Sequence, residues 1–209
     1  MGSPNISISM NGGRASSPRR QKSALGRTTV GIRVETPWGW SDHSVQYAEG
    51  IYCLSTPSHG GFLVDAERLA LMPAVLRHEH GWYEEDEQWA KVATAFPQLF
   101  TDSERECAEK TLRDWEPDAW ETIYGRKLEP SESFVREREQ FERDHASDWV
   151  VISVSPSANN SGQVECVATL GGTRDISRAR EFIVPSDEYD RGRHGFVIDE
   201  ARHIEKRPT

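Results

Sequence analysis

Cysteine is scarce in this sequence: Cys53, Cys107 and Cys166 are the only three in 209 residues, and they stand more than fifty positions apart. That spacing excludes a CxxC metal pair and an even-numbered disulfide framework, and it suits a reducing cytosol. Long apolar runs are lacking too. No stretch approaches the roughly 18 residues that cross a bilayer, and the N-terminus has no apolar signal-peptide core, so no membrane association is expected. No strand-to-helix turn carries GxGxxG or GxxxxGKS/T, which leaves a nucleotide-phosphate cradle unsupported, and no cofactor is expected. Internal repeats are absent. Acids are missing from residues 1–34, where six basic side chains stand alone: Arg14, Arg19, Arg20, Lys22, Arg27 and Arg33.

What is present is a polar, foldable chain, 36% hydrophobic and 28% charged. Taking those six from the 25 basic residues leaves 19 against all 34 acids, so residues 35–209 carry a net charge of about −15. Such a body repels DNA phosphate and attracts basic protein surfaces. Residues 1–27, rich in Ser, Gly, Asn and Arg and without aromatics, read as a disordered basic tail. Residues 28–209 read as a single α+β domain, an ordinary size for one core.

Val30, Ile32 and Val34 alternate as in a half-buried strand, and Gly50–Ser55 with Phe62-Leu63-Val64 reads as a hairpin around the turn 56–61. Asp65 is a natural N-cap for a short helix that Pro73 should interrupt. Glu84, Glu85, Asp86 and Glu87 read as the acidic first turn of a helix bearing Trp89, Val92, Ala93 and Phe96. Ser103 with Glu106 forms a capping-box pattern, and Ser131 is a candidate cap for a charged surface helix. Alternation returns at Val150–Val154 and Val164–Ala168, and further strands are expected over Glu181–Val184 and Phe196–Ile198. Strands, then helices, then strands argue for an α+β fold with a mainly antiparallel sheet built from the two ends of the chain and a central group of helices.

Two segments carry chemically interesting side chains. The first, Thr56-Pro57-Ser58-His59-Gly60-Gly61, sets a hydroxyl beside an imidazole next to glycines that permit close backbone approach. It lacks GxSxG and an identifiable third triad member, so a tight turn bonding its own backbone is the plainer account. The second, Gly81-Trp82-Tyr83-Glu84-Glu85-Asp86, places carboxylates beside aromatics. That pairing serves general acid–base chemistry or recognition of a sugar or cation, although acids at a helix start explain it as well. His78 and His80 form an HxH pair with no third ligand in view, and no metal site is assigned. Asp42-His43-Ser44 holds triad residue types only as chain neighbours, and most of the seven tryptophans belong in the core.

Taken together, the TPSHGG turn at 56–61, GWYEED at 81–86, Asp148-Trp149-Val150-Val151-Ile152, Phe182-Ile183-Val184-Pro185 with Tyr189, and Gly195-Phe196-Val197-Ile198-Asp199 resemble a family of uncharacterised proteins of bacteriophages, conjugative plasmids and their bacterial hosts, catalogued as a domain of unknown function. The likeness covers roughly residues 35–204 and thins between about 100 and 147. It implies a small cytoplasmic bacterial accessory protein of mobile DNA, and it brings no catalytic residues with it.

The leading expectation is a non-catalytic interaction protein. Its candidate face is Thr56, Ser58, His59, Gly60, Gly61, Trp82, Tyr83, Glu84, Glu85 and Asp86, and its partner is a host protein, in the manner of anti-restriction or anti-CRISPR inhibitors. One alternative is a hydrolase or metal-dependent enzyme using His59 with the Glu84–Asp86 acids. Another is a DNA-binding regulator touching nucleic acid through residues 14–33 alone. Oligomeric state is not legible in the sequence.

Overall fold

The computed structural model describes residues 25–158 and 160–206. The expected tail lies outside these residues up to position 24. The chain divides into two compact units, Met1–Leu128 and Glu129–Thr209.

Unit 1 opens with short strands β1 (Thr28–Thr29), β2 (Glu35–Thr36) and β3 (Gly39–Trp40), followed by β4 (His43–Ala48), β5 (Ile51–Ser55) and β6 (Gly60–Val64). Helix α1 (Ala66–Leu71), strand β7 (Trp82–Glu84) and helices α2 (Trp89–Ala95), α3 (Asp102–Trp115) and α4 (Pro117–Tyr124) complete it. Five strands form an antiparallel sheet in the order β1-β4-β5-β6-β7, with β2 and β3 as a separate ribbon. Strand β6 is buried along its whole length, because both faces of the sheet are covered. Phe62, Val64 and Tyr83 face a core shared with Met72, Leu76, Val92, Phe96, Leu112 and Trp120. Leu63 faces the other way, onto Leu54 and Val34. Each large apolar side chain so buried contributes about 1.5–3 kcal/mol.

Local signals hold at α1, where the Asp65 carboxylate accepts the Arg68 N–H at 2.8 Å. After Pro73, whose ring cannot continue the helix, the chain resumes as one 3-10 turn at Ala74–Leu76. Three expectations are corrected. The Thr28–Val34 strand shrinks to β1, beyond which Val34 turns into the second core. The α3 capping box is Thr101 with Glu104, not Ser103 with Glu106. Both spacings occur in the sequence, and the one that forms is the one whose acid is also gripped by Arg27, a contact 77 residues distant in the chain. Finally, Trp82–Glu84 is a strand rather than a helix start. α2 begins only at Trp89 and has no acid in its first turn.

Unit 2 contains helix α5 (Phe134–Asp144) and strands β8 (Trp149–Pro156), β9 (Gln163–Leu170), β10 (Arg180–Pro185) and β11 (Ile204–Glu205), the strands forming an antiparallel sheet in the order β11-β10-β9-β8. Ser133, not Ser131, caps α5, accepting the Arg136 N–H. Ser131 instead lies in a 3-10 turn bounded by Glu129 and Glu132. Trp149, Cys166, Phe182, Val184 and Ile198 make the core. Phe196–Ile198 contributes one bridge, Val150 to Val197, rather than a strand.

The class is therefore α+β, with N- and C-terminal strands and helices between them. The two strand groups build separate antiparallel sheets. Among the described residues no helix is long and apolar enough to cross a membrane.

Candidate functional site

The hairpin turn between β5 and β6 is closed by Thr56. Its N–H donates to the His59 carbonyl at 2.7 Å, and its hydroxyl both donates to that carbonyl at 2.8 Å and accepts the His59 N–H at 3.1 Å. These bonds occupy Thr56, which is buried, and leave the Pro57, Ser58 and His59 side chains exposed. Ser58 and His59 share no hydrogen bond among the described residues, so the paper likeness to a nucleophile beside its base has no geometric counterpart.

Strand β7 adds to the edge of β6, pairing Gly61 with Glu84, Phe62 with Tyr83 and Leu63 with Trp82. One step further, the Glu85 N–H donates to the Gly60 carbonyl at 3.1 Å. This pairing brings the two sequence segments together. The pairing requires Gly61, where a Cβ would lie 2.3 Å from the Tyr83 carbonyl and 2.5 Å from the Trp38 ring, whereas a Cβ on Gly60 would come closest, at 2.5 Å, to the movable carboxylate end of Glu85. Trp38 in turn meets Trp82 edge-on at 5.9 Å between ring centroids.

Glu84 ends β7 and Glu85 follows it, so both lie at the end of the sheet beside the turn. There the imidazole of His59 and the carboxylates of Glu84 and Glu85 each offer one ligand atom, all within 4.8 Å of one another. His59 and Glu85 are exposed and Glu84 half-buried. Glu84 is braced by accepting the Asp86 N–H at 2.8 Å, while its own N–H donates to the Gln88 side chain. No lysine or arginine pairs with Glu84 or Glu85 among the described residues. Two carboxylates at about 4 Å repel by about 1 kcal/mol in water and about 4 kcal/mol where solvent is partly excluded. The arrangement therefore favours an external cation.

The candidate face is thus smaller than the sequence suggested. His59, Glu84 and Glu85 converge, with Ser58, Trp82 and Asp86 flanking them. Tyr83 is corrected to the core: it is fully buried, its hydroxyl donating to the Leu76 carbonyl at 3.1 Å and accepting the His78 N–H at 2.9 Å. Burial holds that phenol above its ordinary pKa. His78 and His80 do not join the ligand group. The Ser44 hydroxyl donates to the Ile32 carbonyl at 2.7 Å, which removes it from any triad with Asp42 and His43.

Cys53, on β5, has its thiol pushed up to about 11 by burial first and by the charge of Glu85 second, so it stays protonated and unreactive.

Sequence reasoning missed the role of Arg27, assigned there to the tail. Its guanidinium grips Glu104 through two bonds of 2.9 and 2.6 Å, donates to the Leu99 carbonyl and lies 4.0 Å over the Tyr47 ring. It also missed an open groove of about 550 Å³ lined by Arg33, Trp40, Asp42, His43 and Pro57, with Arg33 stacked over the half-exposed Trp40. Two of the basic residues expected to reach nucleic acid are thus held against protein aromatics.

No curated protein and no solved structure matches the chain. A family described as Domain of unknown function (DUF7007) matches residues 31–146, more than half of the sequence, including the turn, β7 and every member of the His59 cluster. The chain belongs to this family.

Proposed function

We propose that this protein acts by binding a basic surface of a protein partner through the exposed end of its first sheet, where His59, Glu84 and Glu85 meet. The observation that carries this reading is the pair of carboxylates held side by side with no lysine or arginine opposite them among the described residues. The surplus of acid over residues 35–209 supports it, since a field of that sign speeds encounter with cationic partners. Trp82, half-buried beside Glu84, supplies an aromatic rim of the kind enriched at interfaces.

The setting we propose is that of a small accessory protein of mobile genetic elements, inhibiting a host defence system. That part of the reading rests on the family resemblance in the TPSHGG and GWYEED motifs alone.

The test is affinity capture from host lysate with wild type and the Glu84→Gln/Glu85→Gln double variant, at low and high salt. The expected result is a partner held by wild type at low salt, released by high salt, and held at least about tenfold less well by the variant. Equal capture by both proteins, or no partner at either salt, overturns the reading. The setting has its own measurement: plating of restricted phage should rise when wild type is expressed and stay low with the double variant.

A further inference from the structure

We infer that His59, Glu84 and Glu85 form a binding site for one divalent first-row transition-metal ion of the zinc class. The inference deepens the partner reading, because an ion seated there cancels the charge a basic partner would meet, yet it can be tested without any partner.

Three features distinguish the cluster from a mere acidic patch. First, one of its three members is an imidazole. Neutral imidazole nitrogen with two carboxylate oxygens is a mixed donor set that suits zinc and its neighbours, whereas magnesium and calcium favour oxygen alone. Second, the set comes from two separate strand ends, His59 from the β5–β6 turn and the acids from the end of β7, so it exists only when β7 is paired. Third, neither the His59 ring nor the Glu85 carboxylate has a hydrogen-bond or ion-pair partner among the described residues. Their lone pairs are thus available to an ion.

The geometry is compatible with one ion. Ligands at about 2.1 Å from a zinc ion stand at most about 4.2 Å apart, and these atoms lie within 4.8 Å of one another. Closing the remaining gap takes small rotations of the exposed His59 and Glu85 side chains toward the braced Glu84. Three protein ligands leave a position open to water or to a ligand from a partner, as in zinc sites that are not purely structural.

The experiment is calorimetric titration of the tag-free full chain, in a Cys107→Ser background because that thiol is exposed, with Zn²⁺ and separately with Mg²⁺. Folding is checked by circular dichroism and thermal unfolding. The expected result is one equivalent of Zn²⁺ per chain, bound more tightly than Mg²⁺. Affinity should fall in both His59→Ala and Glu85→Gln by more than the roughly tenfold that loss of an outer-shell partner costs, with unfolding in the absence of metal unchanged.

Absence of stoichiometric Zn²⁺ binding overturns the inference. So does binding that survives His59→Ala, even if Glu85→Gln weakens it, since that is a plain acidic patch. His59→Ala also separates the two readings, because it removes the ion but keeps both carboxylates. Loss of Zn²⁺ binding with partner capture intact upholds the metal site and the acidic docking face together. Failure of Zn²⁺ binding alone leaves the docking face standing.

Discussion

Glu104 and Glu85 are both carboxylates of unit 1, and they serve opposite purposes. Glu104 accepts both ends of the Arg27 fork and the Thr101 N–H and hydroxyl, which together hold its carboxyl down at about 2. Both carboxylate oxygens are engaged in holding the fold. Glu85 lies over a glycine at the end of a sheet, beside a second carboxylate and an imidazole, with no basic side chain opposite it among the described residues. The charge of Glu104 is satisfied within the fold, whereas that of Glu85 faces solvent. The cost difference explains the placement. An unpaired carboxylate in the interior is prohibitive, whereas at an exposed strand end it costs little.

The sharpest way to break this contrast is to separate β7 from β6. Gly61→Ala should cost about 3 kcal/mol or more, since its Cβ meets the Tyr83 carbonyl, which is backbone and cannot move aside. Urea unfolding measures this, and a loss below about 1 kcal/mol would show that the strand pairing is not what assembles the site.

Next in size is the clasp. Arg27→Ala should destabilise by about 1.5–3 kcal/mol, the scale of hydrogen bonds to a charged group. Arg27→Lys should recover only part of that, because an ammonium cannot reproduce the two-pronged contact. Full recovery by lysine would reduce the clasp to simple charge pairing.

The pH dependence is smaller. A carboxyl depressed by folding gives stability that is present above its unfolded pKa of about 4.3 and is lost as pH falls through the folded value of about 2. Glu104 is about one-third exposed, so solvent screening limits the effect to about 1 kcal/mol. It should appear between about pH 5 and pH 2 in wild type and vanish in Glu104→Gln.

Smallest of all, Glu85→Gln should leave unfolding unchanged or raise stability by up to about 0.5 kcal/mol, because it relieves repulsion at an exposed position. A marked destabilisation would show that Glu85 is architectural like Glu104 and would erase the contrast.

Much of the fold is legible in the chain. The hairpin around Thr56–Gly61 follows from alternation and turn residues, and α1 follows from Asp65 and Pro73, because each depends on neighbours within a few positions. The acids at 84–86 show the limit of such local rules. A run of carboxylates before Trp89 satisfies the local rule for a helix start, and only the vacant edge of β6 makes Trp82–Glu84 a strand. The Thr101–Glu104 cap and the change in Arg27 from tail residue to clasp share that cause.

The α+β class, the excess of acid, the lack of a disulfide framework and the two chemically interesting segments can all be read from the residues in order. Those properties sum over residues or act between near neighbours. The meeting of His59 with Glu84 and Glu85, the burial of Tyr83 and the separate sheets of the two strand groups emerge from long-range folding. Each depends on which strand edges pair, and edge pairing is settled by burial across long stretches of chain that local patterning does not encode.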